Sequence, residues 1–321
     1  MELGTSVFTK DRPILDTRLT SIQHVHYSYA APDWGTLTEC RERAEWVRRR
    51  VRIAAGLIPE RERTPLNPKI FDRLITDCCS IEKVYFESRP GFLVTGNLYR
   101  PLRWRGRRPA VLCPHGHWHH GRLQNTELAS IPLRCMTLAS LGFVVFSPDM
   151  VGYNDSCQLN HDRAETPATW AHRASLYGVN HFGLQLWNNM RAVDFLCSLP
   201  DVDPNRIGCT GASGGATQTY YLGLMDERVR ALVPVCMVSG HFQGGCLCEE
   251  APLLHLDGLN TLDVVAALAP RPVLLLSVAH DWTNQNPEFE FCALRQVYAV
   301  HGAADAIANV HLPLHHNYGL E

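Results

Sequence analysis

Three things are scarce in this sequence. It has no long apolar run: Met1 to Asp16 mixes charged and polar residues with short apolar pieces, and no later stretch approaches the length of a membrane span. A signal peptide and a membrane anchor are therefore not expected in the chain as it stands, and a cytoplasmic protein is. Net charge is also nearly absent, since 30 Lys and Arg face 32 Asp and Glu for a formal charge of -2. No overall field would draw in nucleic acid or an anionic membrane, and the expected partner is a small or neutral molecule. Finally, there is no internal repeat and no low-complexity tract, so repeat arrays and solvated tails are set aside.

Cysteine, by contrast, is plentiful, with 12 residues, but scattered. Cys113, Cys197, Cys209 and Cys236 sit inside apolar runs, where a free thiol behaves as a small hydrophobe. Cys78-Cys79 and Cys246-Leu247-Cys248 are close pairs of the kind that invites disulfide or metal chemistry. Neither has a second pair at zinc-site spacing, so no metal or other cofactor is expected. The hydrophobic fraction of 45% is enough for one large core or two modest ones.

Along the chain, Cys40, Ala44, Val47, Val51 and Ala54 recur at helical spacing and predict an amphipathic helix over about Thr38 to Ala55. Residues 1–80 thus read as a helical extension packed on a main domain of residues 81–321. Ile81 to Ser88 and Phe92 to Tyr99, joined by Pro90-Gly91, predict an antiparallel hairpin. Short apolar runs follow at Ala110, Phe143, Arg206, Ala231 and Val273. Helix-like stretches separate them at Asn125–Leu141, Phe182–Ser198, Gly214–Met225, Asn260–Leu268 and Pro287–Val300. Such runs suit parallel strands buried on both faces, joined by crossover helices. The expected fold is α/β, an α/β-hydrolase sheet that is mostly parallel with an antiparallel N-terminal hairpin. Residues 152–180 have little periodicity and predict an insertion over the site.

The chemistry is carried by Gly211-Ala212-Ser213-Gly214-Gly215, which follows the strand-like run Ile207 to Thr210 and precedes a helix. In that context G-x-S-x-G forms a nucleophile elbow, and small residues are needed because the Ser backbone is strained against strand and helix. A base and an acid are then expected later in the chain. Asp281, past the run Val273 to Val278, is the candidate acid, with Glu249 and Glu250 as rivals. His316 is the candidate base, with His315 and His311 as rivals. A near-neutral imidazole can take the Ser proton and return it to the leaving group, while a buried carboxylate fixes its tautomer. The loop Pro114 to Gly121 carries a His-Gly pair, so the oxyanion donors are expected to be the backbone N–H of Gly214 and of His117 or Trp118. The histidines of that loop, His115, His117, His119 and His120, also raise a metal-dependent hydrolase as a rival reading. Asp149, in Pro148 to Ser156, is expected to hold loops together by hydrogen bonds.

These motifs, with Thr95 to Pro101, Gly244 to Glu249 and Asp281-Trp282-Thr283, resemble the acetyl xylan esterase-like and dienelactone hydrolase-like α/β-hydrolases of bacteria, over about Arg41 to Gly319. The resemblance implies a triad of Ser213, Asp281 and His316 and a serine esterase acting through an acyl-enzyme on small esters, acetylated carbohydrates among them. His115, Trp118, Gln243, Cys246, Glu249 and Trp282 are expected to line the substrate pocket. Where such proteins end in Gly-His-Asp-Tyr-Gly, this chain has His315-His316-Asn317-Tyr318-Gly319. They also continue into a further helix, whereas this sequence stops at Glu321, so a mobile His loop and low activity are expected. A fold-keeping protein that only binds a ligand is the remaining reading.

Overall fold

The computed structural model describes residues 30–161, 169–240 and 246–318. Nine strands form one sheet: β1 (Lys69–Ile75), β2 (Cys79–Arg89), β3 (Phe92–Pro101), β4 (Arg108–Leu112), β5 (Val144–Pro148), β6 (Val202–Ala212), β7 (Val229–Val235), β8 (Val273–His280) and β9 (Ile307–His315). The helices are α1 (Leu37–Ala54), α2 (Ile131–Ser140), α3 (Trp170–Ser175), α4 (His181–Ser198), α5 (Gly214–Met225), α6 (Thr261–Ala266) and α7 (Glu290–Val300).

The strand order is β1-β2-β3-β5-β4-β6-β7-β8-β9. The first four in that order pair antiparallel, and every pairing from β5 through β4 to β9 is parallel. This is the α/β-hydrolase sheet, and it puts the carboxyl ends of β4 to β9 along one rim. The Pro90-Gly91 hairpin forms as expected, with Gly91 at φ +73°.

Pleating sorts the strand residues between two cores. Leu98, Ala110, Leu112, Val144 and Phe146 face one side and belong to one core with buried residues of α1, α4, α5, α6 and α7. Tyr99, Val111, Cys113 and Val145 face the other and pack on Ile131, Cys135 and Ala139 of α2. The central strands are apolar on both faces because helices cover both.

The helix expected near Thr38 is α1, opened by a capping box in which Thr36 and Glu39 satisfy each other's backbone N–H. It buries Cys40, Val47, Val51 and Ala54. The rest of the expected helical extension departs from that reading: Lys69–Ile75 is a strand added to the edge of the main sheet, exposed along its whole length. Its lack of an apolar alternation is what hid it. No described helix is long and apolar enough to cross a membrane. All 12 cysteines are free thiols.

Candidate active site

Strand β6 delivers the chain to Ser213, and α5 starts at the next residue. Ser213 lies at φ 57°, ψ −127°, a conformation that costs a non-glycine residue about 1–3 kcal/mol. Its surroundings hold it there: the Ser213 N–H donates to Val235 O (3.0 Å), and its carbonyl accepts from Ala216 N (2.8 Å) and Thr217 N (3.1 Å). A side chain on Gly215 would begin 2.6 Å from Pro114 O. No side chain caps the start of α5, so its first backbone N–H groups and its dipole favour negative charge beside Ser213.

Asp281 immediately follows β8, and His316 immediately follows β9. His316 Nδ1 is 2.8 Å from Asp281 Oδ2, and the Asp281 side chain is only 2% exposed. Thr283 donates to Asp281 Oδ1 from both its backbone N and its Oγ1, each at 2.6 Å. Burial pushes the Asp281 carboxyl up, but the bonds from His316 and Thr283 outweigh it and hold it below the usual carboxylate range. The Trp282 ring lies 4.4 Å from the His316 ring. Cys236, past β7, comes within 4.8 Å of both members of the pair. Burial and the Asp281 charge push its thiol up to about 12.

The rival residues lie elsewhere. His315 packs against His280, and His311 Nδ1 bonds with Ser277 Oγ at 2.8 Å. Glu249 Oε1 sits 3.9 Å from His117 Nδ1, whereas His316 bonds Asp281.

The loop after β4 reaches the elbow through Gly116. A Cβ there would stand 2.6 Å from Ala212 O and 3.1 Å from Ser213 Cβ, so only glycine permits this approach. Two expectations for this loop are corrected. His115 does not line an open pocket: it is fully buried, Nδ1–H donates to Gly116 O (2.8 Å) and Nε2 accepts from Met150 N (3.0 Å). Burial pushes that imidazole down to about 3. The Trp118 N–H donates to Gly116 O at 2.8 Å, so it is not the oxyanion donor. Arg122, at the loop's end, forms a buried ion pair with Asp149 and also bonds Asn97 Oδ1 (2.7 Å) and Asp155 Oδ2 (2.6 Å). Asp149 further accepts from Asn154 Nδ2 and Thr95 Oγ1, both at 2.7 Å.

The rival metal set of His115, His117 and His119 does not assemble. His115 is engaged as above, and His119 is exposed and faces His120, with 4.5 Å between the rings. His117 instead joins His161, Cys246 and Cys248. Cys246, expected in the substrate pocket, is buried in that group with Met150 and Tyr153. Gln243 lies outside the described residues. Glu249 is close to the elbow, its Oε1 3.4 Å from Thr217 Oγ1.

The acetyl xylan esterase (AXE1) family matches residues 64–246, more than half of the chain. The chain belongs to that family. Membership places it among ester hydrolases of the α/β-hydrolase fold. The chain is similar to YtaP of Bacillus subtilis (strain 168), named as a hydrolase, with 26% identity over 273 residues covering 80% of this chain and 84% of that one. Among solved structures it is similar to the methylesterase BT1017, with a TM-score of 0.78 and 32% identity over 89% of this chain. It spans 62% of that protein's length. A glucuronoyl esterase from Solibacter usitatus shares the fold at a TM-score of 0.66 and 13% identity, covering 92% of this chain and 95% of that one.

For a member of this family, the residue that sequence reasoning missed is His161. It lies alone between Asn160 and Asp162, without periodicity or partner spacing to mark it. The Cys-x-Cys of Cys246 and Cys248, read beside a histidine-rich loop, was the only signal of a shared site.

Proposed function

We propose that the chain is a serine carboxylic ester hydrolase. Ser213 Oγ attacks the ester carbonyl while His316 Nε2 takes its proton, and Asp281 holds the imidazole through Nδ1–H. The oxyanion is bound by the backbone N–H of Gly214, first residue of α5, and of His117, next to the glycine that meets the elbow. His316 then protonates the leaving alcohol, and water, activated by the same imidazole, cleaves the acyl-enzyme. The observation that carries this reading is the strained Ser213 at the head of an uncapped helix, on the same sheet rim as the 2.8 Å His316–Asp281 pair.

The substrate class is a small ester on a carbohydrate. The exposed face of Trp282 beside His316 suits a sugar ring. The similarity to a methylesterase makes methyl-esterified sugars the second class to try beside acetylated ones; the chemistry is the same with the acyl and alcohol sides exchanged.

The test is labelling of the full chain by a fluorophosphonate probe, with turnover of an aryl acetate and of acetylated and methyl-esterified oligosaccharides. Wild type should label, and Ser213→Ala should lose labelling and about 10⁴-fold or more of kcat. Folded wild type that neither labels nor turns over any of these esters would overturn the proposal.

A further inference from the structure

Four ligating side chains from three separate stretches meet beside the elbow: His117 after β4, His161 after β5, and Cys246 and Cys248 after β7. Their ligand atoms all lie within 4.8 Å of one another. His117 Nε2 is 3.1 Å from Cys248 Sγ, and His161 Nε2 is 3.1 Å from Cys246 Sγ. We propose that these four side chains bind a single zinc(II) ion that ties the loop after β4 to the segments after β5 and β7, beside the nucleophile elbow.

The dimensions suit a tetrahedral ion. Bonds of about 2.3 Å to sulfur and about 2.0 Å to nitrogen give nitrogen–sulfur edges of roughly 3.5 Å, a small outward adjustment from the observed contacts. Two sulfurs and two imidazoles in a tetrahedral arrangement select zinc over the oxygen-loving cations. Charge also balances. Both thiols release their protons on binding, and two thiolates with two neutral imidazoles cancel the dication, so the cluster that Cys246 and Cys248 bury is itself neutral.

Each histidine is oriented for the task. His161 Nδ1–H donates to Val151 O at 2.6 Å, which leaves the Nε2 lone pair turned toward the sulfurs. Glu249 Oε1 lies 3.9 Å from His117 Nδ1, on the side of that ring away from the sulfurs. Met150 and Tyr153 pack around the two cysteines and shield the site.

Four protein ligands fill a tetrahedral zinc, so no position is open for water and the ion is structural. Its place gives it a mechanical role. The His117 ring stands 2.8 Å from where a Gly214 side chain would begin, so an ion that holds this ring also holds it packed against the start of α5.

The test uses the full chain without a histidine tag, expressed with zinc and dialysed, with metal measured by mass spectrometry and cobalt(II) exchanged in for its spectrum. Wild type should hold about one zinc per chain. Its cobalt form should show tetrahedral d–d bands with thiolate-to-cobalt charge transfer. Cys248→Ser and His161→Ala should lose the ion, whereas His119→Ala, His120→Ala and Ser213→Ala should keep it. The last variant separates this site from the serine mechanism. Folded wild type without retained zinc and without thiolate–cobalt bands would overturn the proposal, as would a Cys246–Cys248 disulfide, or zinc lost only with His119 and His120. The wild-type spectrum decides the matter even where a variant fails to fold.

Discussion

A single hydrogen atom in place of a side chain at Gly116 lets two backbone segments meet, and the neighbouring His115 is locked by the same packing. Gly116→Ala has no room, with Ala212 O at 2.6 Å, and should push the elbow and the loop after β4 apart. Displacements of that kind cost about 10²-fold. The expected result is a fall of that size in kcat with KM little changed, measured on an aryl acetate. His115 carries a pH consequence. Its imidazole moves from 6.5 unfolded to about 3 folded because burial opposes the charge. Its contribution is therefore intact above pH 6.5 and declines as pH falls toward 3, by about 1.4 kcal/mol per pH unit. Urea midpoints at pH 7, 6 and 5 check this, and a pH-independent midpoint would contradict it. At this scale the sequence was readable where chemistry is local. Ser213 announces itself because strain and small neighbours occupy five consecutive residues. His316 is preferred to His311 and His315 through the family resemblance, and its contact with Asp281, across 35 positions, is not a local pattern. His115 looked like a pocket residue because its sequence neighbours do not reveal that it faces Met150.

At the scale of elements, the Arg122–Asp149 pair joins the loop after β4 to the loop after β5. Arg122 is 6% and Asp149 0% exposed by side chain, so removing one partner strands a buried charge. Arg122→Met or Asp149→Asn alone should cost about 3–5 kcal/mol in urea unfolding, and the double variant less than the two together. Additive losses would mean that the pair does not act as a unit. Element types and order were largely legible, since apolar strand runs and helical spacing are local patterns. α5 runs over Gly214–Met225, the same residues the spacing predicts, and α4 starts one residue earlier than expected. β1 was not legible. A strand with all seven residues exposed has no buried face to impose alternation, and pairing with β2 alone defines it.

Across the whole molecule, the sheet order separates the parts of the site by how firmly they are held. β6, with Ser213 at its end, runs between β4 and β7 and lies under α5, whose helix is buried from Gly214 to Leu224. β9, which carries His316, is the last strand in the sheet order, and only Ile307 of it is buried. Opening of an edge needs less free energy than global unfolding. Ester turnover should therefore fall at lower urea than the far-ultraviolet dichroism, with recovery on dilution; coincident curves would show that β9 opens only with the rest. Because the proposed nucleophile is anchored centrally and its proposed base is hung on the margin, the working range of such a molecule is set by its periphery. A melting temperature taken from the bulk of the sheet would overstate how much heat or denaturant the activity survives.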